Sequence, residues 1–250
     1  MEHGADINIK NEWNIASLFA AYKNGVETVV KYLDETDTKK NYEWNATPLF
    51  AVCESENEAV VKYLVIHRAS INKTVEDGET PLFKLCRNGN GAIIKYLIEH
   101  GVDINVKNYD SETPLIIVCR SRIEAIVKYL VEHGADINKE TKWGSTPLFD
   151  ACTGGNEFII KYLVELGADI SKTCNTGETP LFSACRNGNE AIIEYLVECG
   201  ADIDKTKEDG NTPLFEACKR GNEATVKYLV ELGAEINRET KWVHPIIWSL

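Results

Sequence analysis

Cysteine is the residue type in this sequence with the widest choice of chemistry. Six of the eight, Cys53, Cys86, Cys119, Cys152, Cys185 and Cys218, fall 33 residues apart. Thiols can pair as disulfides or hold zinc, but a disulfide needs Cα atoms within about 7 Å and zinc needs four ligands meeting at one point. One position copied along successive helices, roughly 8–10 Å apart, satisfies neither. The six thiols are expected to be reduced, buried and unmetallated, small residues that let helices approach. Cys174 and Cys199 lie off this ladder and receive no role. His67, His100 and His133 keep the same step, each just before a helix-ending position, where a cation favours the negative end of the helix dipole. Gly89-Asn90-Gly91 contains a Gly-x-Gly, yet it follows a helix rather than a strand, so it is no dinucleotide fingerprint. No Ser/His/Asp or Cys/His constellation stands out. No catalytic residue, cofactor or metal is therefore predicted, and the chain is expected not to be an enzyme.

Bulk properties narrow the partners. The formal charge is −12 over 250 residues. Nucleic acid is a poor partner for so acidic a chain, because phosphate neutralisation needs Lys and Arg to dominate a face. No basic amphipathic helix suits an anionic membrane, and no apolar run approaches the roughly 18 residues of a membrane span. The opening Met-Glu-His-Gly-Ala-Asp lacks the basic and apolar regions of a signal peptide. The cytoplasm is the expected address.

The elements that position these residues follow one period. Thr-Pro-Leu begins at Thr47, Thr80, Thr113, Thr146, Thr179 and Thr212, and Tyr63, Tyr96, Tyr129, Tyr162, Tyr195 and Tyr228 keep the same 33-residue step. A fixed period of this length means stacked supersecondary units. In one unit, Thr146 can accept the first free helix N–H and Pro147 suits the first helical position. A short helix ends near Gly154-Gly155, and Asn156 caps a second helix. That helix has an apolar stripe of Ile159, Ile160, Leu163 and Val164, and Glu157 and Lys161 on its solvated face. Gly167 ends it in a left-handed cap. Glu56 and Arg122 stand where other units place Gly89, Gly155, Gly188 and Gly221, which marks 108–140 as a soft point if that backbone is left-handed. The tyrosines are expected in the core between repeats.

These residues closely resemble the ankyrin-repeat family. Full units run over 42–74, 75–107, 108–140, 141–173, 174–206 and 207–239, with a degenerate unit at 11–41 and partial ones at 1–10 and 240–250. The resemblance implies an all-α solenoid of stacked helix pairs with short β-hairpin fingers, in one domain. It departs from the family at the residue after Thr-Pro-Leu, usually His. Phe50, Phe83, Ile116, Phe149, Phe182 and Phe215 stand there, so apolar packing is expected to replace polar bracing.

Two groups of residues rise above the scaffold. Arg87, Arg120, Arg186 and Lys219 follow the ladder cysteines, a position that in ankyrin proteins faces the concave groove. A basic stripe there would favour a partner's carboxylates, or it is simply a solvated helix end that favours cations. Trp13, Trp44, Trp143 and Trp242 share one repeat position, which the resemblance puts at the finger tip. They are either contact anchors or rings lying flat on a neighbouring finger. The paired fingers of Trp13 and Trp44 are the favoured contact site. The predicted function is protein–protein recognition across fingers and groove, without a cofactor. The alternative is end-to-end self-association into oligomers or fibres, through the apolar segment 245–250.

Overall fold

The computed structural model describes residues 47–55 and 57–238. Trp13, Trp44, Trp242, Glu56, the units at 1–10, 11–41 and 240–250, and the segment 245–250 lie outside the described residues. Helices come in pairs: α1 Pro48–Ser55 with α2 Glu58–Ile66, α3 Pro81–Asn88 with α4 Gly91–Glu99, and α5 Pro114–Arg120 with α6 Glu124–Glu132. Three more follow: α7 Pro147–Gly154 with α8 Glu157–Glu165, α9 Pro180–Asn187 with α10 Glu190–Glu198, and α11 Pro213–Arg220 with α12 Glu223–Glu231. No strand occurs among the described residues.

Two compact units divide the chain, Met1–Pro114 with Lys128–Ala135, and Leu115–Val127 with Asp136–Leu250. In the first, α1 packs on α3, α2 on α4, and each helix on its own partner. Leu49, Cys53, Leu82, Phe83 and Cys86 from the first helices meet Val61, Leu64, Ile93, Ile94 and Leu97 from the second, all buried. In the second unit α7, α9 and α11 form a row beside α8 and α10. Its core repeats the recipe with Leu148, Cys152, Ile159, Ile160, Leu163, Leu181, Phe182, Cys185, Ile192, Ile193 and Leu196. The expected stripe of α8 is therefore present, with Val164 at its half-buried margin. Phe83, Ile116 and Phe182 are fully buried, so apolar packing does take the place of the family's histidine in these repeats.

Each second helix with an Asn before it is capped by that side chain. Asn57, Asn90, Asn156, Asn189 and Asn222 accept the third-residue N–H at 3.1–3.3 Å. Before α6 the chain reads Ser121-Arg122-Ile123, and both signals fail together. Ile123 has no side-chain acceptor, and Arg122 occupies the left-handed region at φ 65°. A side chain there costs about 1–2 kcal/mol, which makes this turn the expected soft point.

The tyrosines are not core. They lie half-buried on the outer side of the second helices, because the buried stripe is already filled by the aliphatic positions. A lysine of the preceding repeat sits over the ring instead: Lys62 over Tyr96 at 5.5 Å, Lys95 over Tyr129 at 5.2 Å and Lys161 over Tyr195 at 5.4 Å. Each ladder histidine lies against the tyrosine one turn before it, stacked at His67 and tilted at His100 and His133, with centroids 3.9–4.0 Å apart, and its Nδ1 lies 2.7–2.8 Å from that tyrosine's carbonyl.

The Thr-Pro starts come in two forms. Thr47, Thr146 and Thr212 accept the N–H of Phe50, Phe149 and Phe215 through Oγ1 at 3.2–3.3 Å. At Thr80 and Thr179 the Phe83 and Phe182 N–H groups bond to the backbone carbonyl at 3.0 Å, leaving both hydroxyls buried without a partner. An orphaned buried hydroxyl costs stability, whereas a cap contributes about 1 kcal/mol. Thr146→Val is thus expected to lower the denaturant midpoint by an amount equivalent to about 1 kcal/mol. Thr179→Val should leave it unchanged or raise it, and equal losses in the two variants would show that both hydroxyls cap.

Candidate functional site

Fingers project between the helix pairs as tight five-residue loops rather than strands. Thr141 N–H donates to Ser145 O at 2.9 Å and Gly144 N–H to Thr141 O at 3.0 Å, and the same two bonds close 75–79, 108–112, 174–178 and 207–211. The fourth loop residue is left-handed in every one: Gly78, Ser111, Gly144, Gly177 and Gly210. Fingers also bond to one another. In the first unit Tyr109 N–H donates to Asp77 O at 2.9 Å. In the second, Asn175 N–H donates to Trp143 O at 2.8 Å and Glu208 N–H to Thr176 O at 3.2 Å. Gly144 is doubly required, since a Cβ there would lie 2.9 Å from Asn175 Oδ1 and 3.1 Å from the Cys174 Cα.

Trp143 stands at such a tip, 49% exposed, with Lys142 Nζ 4.5 Å from its ring centroid. The Trp143 backbone is fixed on both sides, by Thr141 Oγ1 at 3.2 Å and by the Asn175 N–H. Tyr109, one repeat position earlier in its own finger, is 75% exposed and was not singled out by sequence. Any bulky aromatic at the second or third residue of the five-residue loop, not tryptophan alone, was the available signal.

Most of the basic stripe is paired within the chain. Arg87 bonds to Glu79, which is buried. Arg120 Nε meets Asp150 Oδ1 at 2.7 Å, and Ser145 Oγ donates to the other oxygen of Asp150 at 2.8 Å. Arg186 reaches both oxygens of Glu178 at 2.9 Å. Lys207, from the finger, adds bonds to Glu216 at 2.8 Å and Glu178 at 3.3 Å. Lys219 is exposed beside Glu216. Sequence reasoning missed these carboxylates and Lys207. The available signal was a carboxylate recurring just before the Thr (Glu79, Glu112, Glu178) or four residues after it (Asp150, Glu216).

Electrostatics follow burial and pairing. Burial pushes the Cys53 and Cys185 thiols up to about 12, and those of Cys86, Cys119 and Cys152 further, out of the range of a neutral-pH nucleophile. Cys218 is half-buried, Cys199 is exposed, and Cys174 Sγ lies 3.0 Å from Thr176 Oγ1. Among the described residues no group of three or more His, Cys, Asp or Glu is placed to hold a metal ion. Nor is any helix there long and apolar enough to cross a membrane. Burial opposes ionisation of Glu216, but the hydrogen bond and charge of Lys207, with Arg186 and Lys219 behind it, hold the carboxyl below the usual carboxylate range.

Stacked helix pairs joined by bonded fingers define an all-helical repeat solenoid. A family model described as ankyrin repeats (3 copies) matches overlapping stretches of the sequence, 1–75, 17–108, 67–141, 106–174, 138–207 and 167–240. The chain belongs to the ankyrin-repeat family, whose repeats generally mediate protein–protein interaction. Against curated proteins it finds no match.

Lys207 offers a direct test of the buried charge cluster. Lys207→Met leaves Glu178 and Glu216 without their ammonium and is expected to lower stability at pH 7 by about 3 kcal/mol, the scale of a broken buried pair. The Glu216 carboxyl is depressed in the fold. Its contribution is therefore complete above the unfolded value near pH 4.3 and is lost as pH falls through the folded value. Denaturant melts should show the variant's deficit shrinking on acidification to about pH 3. A deficit independent of pH would mean that the cluster is not held by charge.

Proposed function

We propose that the protein is a non-catalytic cytoplasmic scaffold that captures a protein partner across its fingers and groove. Trp143 is the anchor within the described residues, and Trp13, Trp44 and Trp242 share its repeat position in the sequence. The observation that carries this reading is a half-exposed indole on a finger whose backbone is already fixed by neighbouring bonds. Binding then costs little ordering, and tryptophan is enriched among residues that dominate interface energies.

Arg87 in the first unit, and Arg120, Arg186 and Lys219 in the second, are the proposed groove residues of their own units. Three of them hold carboxylates of their own chain, so each unit would offer a partner fixed ion pairs rather than open cations. Such a surface sets register and rejects wrong partners more than it adds affinity. Eight unbridged thiols support a reducing compartment.

Immobilised wild-type protein and Trp143→Ala, each exposed to extract of the source cells, provide the comparison. A partner retained by the wild type is expected to fall well over tenfold on the variant, because a desolvated Trp anchor contributes about 2 kcal/mol or more. The melting temperature should stay the same. Retention that is unchanged while the melting temperature drops would make Trp143 a packing residue and overturn the proposal.

A further inference from the structure

We infer that the fingers of the first unit receive a cationic side chain of the protein partner, an arginine or a lysine, against the ring of Tyr109. This rests on the proposal that fingers face the partner. Within this protein, aromatic rings at the surface are repeatedly covered by a cation. Lys62 and Lys95 cover Tyr96 and Tyr129 in the first unit, and Lys142 and Lys161 cover Trp143 and Tyr195 in the second. Tyr109 lacks such a cover. It is 75% exposed, more than any other large hydrophobic side chain among the described residues, and no cation of the described residues lies over it.

The surroundings have the matching charge. Segments 76–79 and 109–112 carry five carboxylates, Glu76, Asp77, Glu79, Asp110 and Glu112, and no Lys or Arg. Arg87 offsets Glu79. Glu76 and Asp77 are exposed, whereas Glu79 and Glu112 are buried. Asp77 Oδ1 accepts the Glu79 N–H at 3.1 Å, and one hydrogen bond leaves an ionised carboxylate with further acceptor sites. A planar guanidinium on the ring, with carboxylates at its edge, combines cation–π attraction with charge-assisted hydrogen bonds.

The ring is also preset. Tyr109 N–H is bonded to Asp77 O, and the ring lies so close to Gly78 that a Cβ there would meet Cδ1 at 2.8 Å. Ser111 holds the loop in a left-handed conformation, φ 57°, that glycine would adopt more readily. Strain of this kind persists where surrounding structure imposes it and is common at ligand clamps.

The test is a titration of the ¹⁵N-labelled full chain at low salt with an octapeptide of alternating glycine and arginine, and in parallel with its glycine–glutamate counterpart. The arginine peptide is expected to shift the amides of 76–79 and 109–112, and the glutamate peptide to leave them in place. Tyr109→Phe should keep that binding, while Tyr109→Leu weakens it about fivefold, the scale of an exposed cation–π contact. Asp77→Asn, which retains an acceptor for the Glu79 N–H, should weaken it through lost charge. Equal affinity in Tyr109→Leu, or arginine-peptide shifts confined to other surfaces, overturns the inference. Neither result touches the finger reading itself, which stands or falls on partner loss in Trp143→Ala.

Discussion

A pair of helices seven to nine residues long has an apolar stripe it cannot bury alone. Leu82 and Cys86 of α3 and Ile93 and Leu97 of α4 are fully buried where the pair packs together and against α1 and α2 of the preceding repeat. Burial of such side chains contributes about 1.5–3 kcal/mol each, and it is gained both within a repeat and between neighbouring repeats. Stability is then a sum over neighbours, and each repeat exists because the next one covers it. The small ladder cysteines belong to this constraint, since a larger side chain at that position would hold the first helices apart.

The same contact fixes the surface of the fingers. Where helix pairs stack, the loops between them are brought level, and polar bonds join one repeat to the next. Asn72 Oδ1 accepts the Asp103 N–H at 2.9 Å in the first unit, and Asn138 Oδ1 the Asp169 N–H at 3.1 Å in the second. Asn187 Nδ2 reaches back to the Cys152 and Thr153 carbonyls at 2.9 Å. Finger-to-finger bonds from Tyr109, Asn175 and Glu208 complete the set. A loop of five residues would be mobile alone. Tied to its neighbour, it becomes a platform on which an aromatic ring can face solvent.

The periodic part of the molecule was legible in the sequence, because repetition multiplies weak signals. Thr-Pro at helix starts, Asn before the second helix and Gly after the first each fall where the structure uses them, and the φ of Arg122 follows from comparison with its glycine counterparts. What escaped was whatever varies from repeat to repeat. Carboxylates that neutralise the stripe come from two different positions, so no single column displays them. Arg186 finds Glu178 in its own repeat, whereas Arg120 finds Asp150 in the next. The tyrosines misled for another reason. Regular spacing marks a shared environment, and here that environment is a half-buried outer face with a lysine above it. Tyr109 escaped because a pattern built on tryptophan does not see a tyrosine one place earlier.

Fingers are rigid because neighbouring repeats bond them, and amide hydrogen exchange of the native protein measures this most directly. The N–H groups of Tyr109, Asn175 and Glu208 sit in exposed loops, where an unbonded amide exchanges at nearly the rate of a free peptide. Bonded to the preceding finger, they should be protected to the level of helix amides in the same repeats. Exchange at the free-peptide rate at all three would contradict the account, leaving a helical stack with loose loops and no preset binding face.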